Sequence, residues 1–101
     1  MKMSAACIIA SLTCLLPMMV AQAYSGQQYA HEARVSLAQA RAIALKAFSG
    51  QIVKEELEKE AGGSGLRYSF DIRGHQAVHE VGVDAKTGKL LENSDDPHDK
   101  D

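Results

Sequence analysis

Apolar and polar residues follow a helical period in the middle of this chain. Between positions 36 and 50, apolar residues recur every three or four places, which is typical of a helix with one buried side. Ser36 and Gln39 have the spacing of a capping box, so we expect the helix to begin at Ser36. Gly50 is predicted to end it in the left-handed conformation. The predicted buried side consists of Leu37, Ala40, Ile43, Ala44, Ala47 and Phe48.

Farther along the chain, apolar and polar residues alternate strictly and no longer follow the helical period. Apolar residues occupy every second position of residues 66–73, which is the strongest strand signal in the sequence. Two more strands are predicted at residues 76–84, with the valines directed inward, and at residues 89–93. Gly88 is expected to take a positive φ in the turn between them.

Residues 51–60 fit two interpretations. Their many Glu and Lys residues favour a helix. In contrast, Val53, Glu55 and Leu57 alternate with charged residues, as they would in a half-exposed edge strand. Because the later strands need a neighbour and strand propensity depends strongly on context, we predict a strand here.

These elements predict an α+β fold, in which one N-terminal helix packs on an antiparallel β-meander of three to four strands. Short connections join consecutive strands in antiparallel order, and the helix covers the apolar face of the sheet. The opposite face is predicted to be a solvated surface with salt bridges. It carries Lys54, Glu56, Arg67, Asp71, Arg73, Glu80 and Asp84.

The first 23 residues have the layout of a secretory signal peptide. A lysine supplies the basic start, residues 4–20 carry no charge, and small residues precede a predicted cleavage after Ala23. The alternative is a retained membrane anchor, although the apolar run is shorter than the roughly 20 residues of a spanning helix. Beyond this segment, we predict a flexible lead-in at residues 24–35 and an acidic tail at residues 94–101.

Removal of the signal peptide changes the composition in two ways. Both cysteines, Cys7 and Cys14, lie within it, so the exported chain would contain no disulfide. Loss of Lys2 leaves 10 basic and 13 acidic residues, a formal charge of −3, which argues against nucleic acid or an anionic membrane surface as the partner. The remaining core is small, so we expect stabilisation by a partner, a metal or self-association.

Residues suited to catalysis or metal binding are scarce. His75 and His79 are four positions apart, but four residues of strand span about 13 Å, which is too far for one metal ion. The acidic run at residues 55–60 has the pattern of an exposed strand rather than of a paired acid and base. The serines lack the surroundings of a nucleophile. We therefore predict no enzyme activity, no cofactor and no metal site.

Four motifs in order resemble a PepSY domain, from residue 36 to residue 93. They are a helix like that at residues 37–45, a charged strand like residues 53–58, an aromatic strand like residues 68–72 and a closing strand and turn like residues 79–91. The chain departs from the family pattern at Gly82, where a longer side chain is usual.

The resemblance implies a module without catalytic residues that binds a protein partner, with a peptidase as the suggested class, in the periplasm or outside the cell. The alternative is a structural or sensory module that associates with itself as a homodimer. A peptide could bind by adding a strand to an edge of the sheet. The predicted edge residues are Val53, Glu55, Leu57, Leu90 and Glu92.

Overall fold

The structure is a computed structural model that describes residues 24–96, so the predicted signal peptide and the last five residues of the predicted tail lie outside the described residues. A short 3-10 helix at Gln27–Glu32 comes first. One α-helix and four strands follow in this order: α1 (Leu37–Ala47), β1 (Gln51–Lys59), β2 (Leu66–Arg73), β3 (Val78–Asp84) and β4 (Leu90–Asp95).

The four strands form one antiparallel sheet with the order β1-β2-β3-β4. Helix α1 packs across the middle of this sheet, mainly against β2 and β3. The predicted α+β fold, with one helix on an antiparallel meander, is therefore confirmed. The ambiguous segment after the helix is strand β1.

Helix α1 begins as its sequence predicts. The Ser36 hydroxyl accepts a hydrogen bond from the Gln39 main-chain N–H at 3.1 Å, and the Gln39 side chain accepts one from the Ser36 N–H at 2.9 Å. Ala40 and Ala44 are completely buried, so the helix approaches the sheet closely. Within residues 24–96, no second α-helix packs on the opposite face of the sheet.

The end of helix α1 differs from the prediction. The helix ends at Ala47, and Gly50 has a φ of 159°, close to an extended conformation rather than a left-handed one. Glycine is required there for another reason, because a Cβ at Gly50 would lie 2.2 Å from the carbonyl oxygen of Arg73. Gly50 therefore allows close contact between the start of β1 and the end of β2.

The core lies between helix α1 and the inner face of the sheet. Tyr68 is 2 % exposed and donates a hydrogen bond from its hydroxyl to the carbonyl oxygen of Val35 at 2.7 Å, which satisfies its one polar group. The other large buried side chains come from β1, β2 and β3: Leu57, Leu66, Phe70, Ile72, Val81 and Val83.

A β-bulge at Val53 sets which side chains of β1 face the helix. Ile52 lies opposite Ile72, yet Lys54 lies opposite Asp71, so one extra residue stands between them. Beyond the bulge, Glu55 and Leu57 lie opposite core residues of β2. The alternation seen in the sequence is therefore real, but it begins after the bulge.

The segment before helix α1 has more structure than a flexible lead-in. Its 3-10 helix packs against β1, and the side chains of Tyr24, Tyr29 and Val35 are partly buried against the core. The main-chain N–H groups of Arg34 and Val35 both donate to the carbonyl oxygen of Ala85 at 2.9 Å. A 3-10 helix of six residues has no 3.6-residue period, which is why the hydrophobic pattern did not predict it.

Strand β4 is longer than predicted. Ser94 pairs with Glu80, and Asp95 pairs with His79. The main-chain N–H of Asp96 also donates to the carbonyl oxygen of Val78 at 2.8 Å. Ser94 and Asp95, predicted to lie in the acidic tail, therefore belong to β4, and Asp96 is hydrogen-bonded to β3.

Candidate functional site

The outer edge of β1 is partly occupied by the chain's own N-terminal segment. Ser25 forms an isolated parallel bridge with Glu56, and its carbonyl oxygen accepts a hydrogen bond from the Leu57 N–H at 2.8 Å. Gly26 follows with a φ of 90°, and a Cβ there would lie 1.7 Å from the Leu57 carbonyl oxygen. We call residues 24–32 the strap, since they run along this edge.

The predicted binding residues of β1 have different surroundings from one another. Leu57 is 2 % exposed and belongs to the core. Glu55 accepts two hydrogen bonds from Arg41 of helix α1, at 2.5 Å from Nε and 3.0 Å from Nη2. Val53, at the bulge, is 47 % exposed. A bulge and an occupied edge both hinder the addition of another strand, so β1 is a poor docking edge.

Strand β4 has no strand on its outer side within residues 24–96. Leu90 is 41 % exposed, and Glu92 lies 3.5 Å from Nη1 of Arg67. Because the Asp96 N–H bonds to Val78, the alternation of an antiparallel ladder directs the main-chain groups of Asn93 and Asp95 away from β3. These groups are available to an added strand.

The sheet face opposite helix α1, which we call the open face, contains a shallow pocket of about 190 Å³. This volume is below the roughly 300–1,000 Å³ of small-molecule sites. Ser69 lies opposite Gly82 in the register of the central strands, and these small residues lower the surface there. The pocket is lined by Lys54, Glu56, Ser69, Asp71, Glu80 and Asp96.

Carboxylates of the open face affect one another's protonation. Burial, and then the charges of neighbouring carboxylates including Glu92 and Asp71, raise the pKa of Glu80. Burial also raises the pKa of Glu58 to about 7, with Glu60 adding to the shift and the Ser69 hydroxyl opposing it. Negative charge is therefore costly on this face.

Lys54 is the basic residue of the pocket. Its Nζ lies 3.1 Å from Oε2 of Glu56, and its side chain is 61 % exposed. The hydrogen bond to Glu56, followed by the charges of Glu56, Asp71 and Glu80, raises the pKa of Lys54. The pocket thus already stabilises one ammonium group.

Two charged residues predicted to be solvated on this face are buried instead. Arg67 is 7 % exposed, and Asp84 is 1 % exposed. Arg67 lies over Gly82, where a Cβ would be 3.2 Å from its Nη1, and its Nη2 donates to the Ala61 carbonyl oxygen at 3.1 Å. The departure from the family pattern at Gly82 therefore makes room for a guanidinium group.

Asp84 organises two turns through its carboxylate. It accepts hydrogen bonds from the Ser64 N–H at 2.6 Å, the Ser64 hydroxyl at 2.8 Å, the Lys86 N–H at 2.8 Å and the Thr87 N–H at 3.0 Å. Burial alone would raise the pKa of Asp84, but these hydrogen bonds lower it to about 2. Gly88 completes the second turn with a φ of 81°, as predicted.

His79 has a structural environment. Its ring stacks on Phe48 with centroids 3.8 Å apart, and its nitrogens lie 2.8 Å from Asn93 Oδ1 and 2.9 Å from Asp95 Oδ1.

Among residues 24–96, no three His, Asp or Glu side chains are arranged to hold a metal ion. No helix of that same part is long and apolar enough to cross a membrane.

Comparison with known families places these observations in context. A family model described as the peptidase propeptide and YPEB domain, PepSY, matches residues 34–93, more than half of the chain. The chain belongs to the PepSY family. PepSY domains are in general non-catalytic regulatory modules, and proteins that carry them are typically extracellular or periplasmic. No curated protein and no solved structure matches this chain.

Proposed function

We propose that this PepSY protein is an exported, non-enzymatic binding module that regulates a peptidase by direct protein contact. Support comes from the family, which is known in peptidase propeptides and regulators. The signal-peptide layout of the first 23 residues supports export. The protein would act through contacts of its surface, and none of its side chains would catalyse a reaction.

The observation that carries this proposal is the difference between the two sheet edges. The strap occupies β1 around Glu56, whereas β4 has main-chain groups directed away from the sheet and an exposed Leu90. An extended peptide that pairs with β4 gains main-chain hydrogen bonds, and alternate side chains supply specificity. Of the two predicted docking edges, we therefore propose β4, with Leu90 and Glu92 as contact residues.

The test is an inhibition and binding assay with the exported protein and the peptidases of the same compartment. We expect saturable binding at micromolar concentration and reduced turnover by at least one of them. Asn93→Pro removes an outward N–H without removing a ladder hydrogen bond to β3, so it should weaken binding at least tenfold. Asn93→Ala controls for the lost side-chain contacts. Equal binding by Asn93→Pro and Asn93→Ala would reject β4 as the docking edge.

The open edge also favours a second candidate, a structural or sensory module that associates with itself. Two copies could pair their β4 strands about a two-fold axis, because such an interface presents the same edge from each copy. Sedimentation of the exported protein across a hundredfold concentration range separates the two candidates. A strict monomer rules out self-association, and a dimer disrupted by Asn93→Pro supports it.

A further inference from the structure

The open face has a strong charge imbalance that the proposed docking edge does not explain. Its basic residues are Lys54, Arg67 and Arg73, and Arg67 is buried against the sheet. Helix α1, with Arg41 and Lys46, lies on the other side. The carboxylates of the open face are more than twice as numerous as these basic residues: Glu56, Glu58, Asp71, Glu80, Asp84, Glu92 and Asp96. Asp84, like Arg67, is buried.

We propose that the open face recognises a basic segment of a protein partner, with one Lys or Arg side chain of that segment entering the pocket between Glu56, Asp71 and Glu80. This inference rests on the proposed function and specifies the chemistry of the partner. It commits to a protein side chain because the pocket of about 190 Å³ is smaller than a small-molecule site.

Lys54 shows what the pocket accepts. Its ammonium group lies 3.1 Å from Glu56 at the rim of the pocket, yet its side chain remains 61 % exposed and therefore holds its position loosely. Its single charge acts on three carboxylates, those of Glu56, Asp71 and Glu80. A partner's cation can join Lys54 or displace it, because both bind through charge-assisted hydrogen bonds to carboxylates.

Of the pocket carboxylates Glu56, Asp71 and Glu80, Glu80 on β3 lies nearest to the β4 edge. Neighbouring strands lie about 4.8 Å apart, so a strand added to β4 lies about 10 Å from β3. Glu80 of β3 pairs with Ser94 of β4, a short side chain that leaves a passage across β4. A Lys or Arg on the added strand, directed to the open face, can therefore extend over Ser94 toward Glu80. Side chains alternate along a strand, so every second residue of the partner faces this surface.

Raised pKa values on this face agree with the inference. Neighbouring carboxylates contribute to the raised pKa of Glu80, and burial raises the pKa of Glu58 to about 7. A bound cation stabilises the ionised forms and lowers both pKa values. Binding of a basic segment should therefore release protons near pH 7, in proportion to the protonated fraction of Glu58.

The experiment measures fluorescence anisotropy of a labelled decapeptide with Arg at alternate positions, in 50 mM salt, with the exported protein. A decapeptide with Gln at those positions is the control probe. We expect the Arg peptide to bind at least tenfold more tightly than the Gln peptide. Equal affinity of the two peptides would overturn the inference.

Matched variants separate the pocket from net charge. Glu80→Gln and Glu56→Gln should each weaken binding of the Arg peptide two- to fivefold, whereas Glu32→Gln, on the strap, makes the same charge change and should alter it by less than 1.5-fold. Lys54→Gln should strengthen binding two- to fivefold, and Lys46→Gln, on helix α1, by less than 1.5-fold. Equal effects within each matched pair would overturn the inference, because only net charge would then matter.

A last comparison distinguishes this inference from the proposed function. If the wild-type protein inhibits a peptidase and the Glu56→Gln, Glu80→Gln double variant inhibits it equally, the basic-segment inference is wrong and the proposed function stands. If the double variant loses both peptide binding and inhibition while its urea unfolding is unchanged, both are supported. Peptide binding without any peptidase contact would contradict the proposed function alone.

Discussion

At the scale of single residues, buried charge marks where this domain is most sensitive to change. Asp84 is 1 % exposed and receives four hydrogen bonds that join the turn after β1 to the turn after β3. The carboxylate therefore accepts hydrogen bonds from main-chain N–H groups that would otherwise need water as the acceptor. Removing it would leave these four donors without their acceptor in the folded domain, which costs free energy.

Asp84→Ala should lower the free energy of unfolding by about 2–4 kcal/mol, since three main-chain donors and a hydroxyl lose their acceptor. Urea unfolding at pH 7 measures this. Asp95→Asn, which neutralises a carboxylate whose side chain is 71 % exposed, is the control and should change stability by less than about 1 kcal/mol. Comparable losses in the two variants would contradict the role assigned to Asp84.

The same residue predicts a pH dependence in acid. The pKa of Asp84 falls from 3.8 to about 2 on folding, so its contribution is complete above pH 4 and is lost as the pH falls through 2. The contribution is about 2 kcal/mol. Unfolding free energies of wild type and Asp84→Asn should therefore converge between pH 4 and pH 2; a constant difference over that range would refute the assignment.

Glu55 and Glu58 of strand β1 should respond in opposite directions to the same substitution. Glu55 bonds to Arg41 with both oxygens, so Glu55→Gln should cost about 1–2 kcal/mol at pH 8. Glu58 has its pKa raised to about 7, so its contribution to stability is present below pH 4.5 and is lost as the pH rises through 7. Glu58→Gln should consequently stabilise the domain by about 1–2 kcal/mol at pH 8, after allowance for its partial exposure.

Urea unfolding of both variants at pH 4.5 and pH 8 provides the measurement. At pH 4.5, Glu58→Gln and wild type should differ in stability by less than about 0.5 kcal/mol, because Glu58 is protonated in the folded chain and half protonated in the unfolded chain at that pH. A stability gain that is the same at both pH values would show that Glu58 acts through packing and not through its charge.

At the scale of elements, the strap contains a position, residue 26, at which only glycine fits. Gly26 combines a φ of 90° with a closest approach that leaves no room for a Cβ beside the Leu57 carbonyl. Gly65 has a nearly identical φ of 93° but open space around it. A comparison of the two glycines therefore separates the effect of the clash with Leu57 from the effect of the positive φ.

Gly26→Ala should detach the strap from β1, whereas Gly65→Ala should cost only the strain of a left-handed alanine, about 1–2 kcal/mol. Hydrogen exchange of the Leu57 amide is the direct measurement, because this N–H donates to Ser25 of the strap. We expect its protection to fall at least tenfold more in Gly26→Ala than in Gly65→Ala. Retained protection in Gly26→Ala would contradict the strap's contact.

The elements that could be predicted from sequence are those whose apolar residues recur at a regular spacing and whose ends are marked by residues close in sequence. Helix α1 and strand β2 follow from hydrophobic spacing, and the start of α1 follows from the Ser36–Gln39 capping box. The strap could not be predicted in this way, because its single hydrogen bond to Leu57 joins residues more than thirty positions apart.

The candidate site was only partly predictable for a similar reason. Alternation assigned Lys54, Glu56, Asp71 and Glu80 to one face, and the register of the sheet agrees. Alternation cannot predict that Arg67 and Asp84 are buried on that face. Their burial depends on Gly82 and on the turn around Ser64, which approach them only in the folded sheet.

At the scale of the whole molecule, a small core coexists with a crowded acidic face. Without its predicted signal peptide the chain has a formal charge of −3, and the open face concentrates negative charge opposite helix α1. Self-repulsion of this kind opposes folding and is reduced by salt. The free energy of unfolding should therefore rise with ionic strength, even though the net charge is small.

Raising the salt concentration from 0.05 to 0.5 M at pH 8 should raise the midpoint of urea unfolding, since screening at the higher salt acts within about 4–5 Å. The effect should shrink at pH 4.5, where Glu58 is protonated in the folded domain because its pKa is raised to about 7. A decrease in the midpoint with salt at pH 8 would indicate that ion pairs, such as Arg41 with Glu55, outweigh repulsion.

The strap has a consequence for assembly. Growth of a fibre by edge-to-edge pairing requires two free edges on every molecule, one to join the chain ahead and one to accept the chain behind. Here Ser25 covers the edge of β1, so a molecule that pairs through β4 offers no further edge at that position. If two copies pair through β4, we therefore expect strand pairing to stop at two chains, because the strap blocks further pairing at this position of β1.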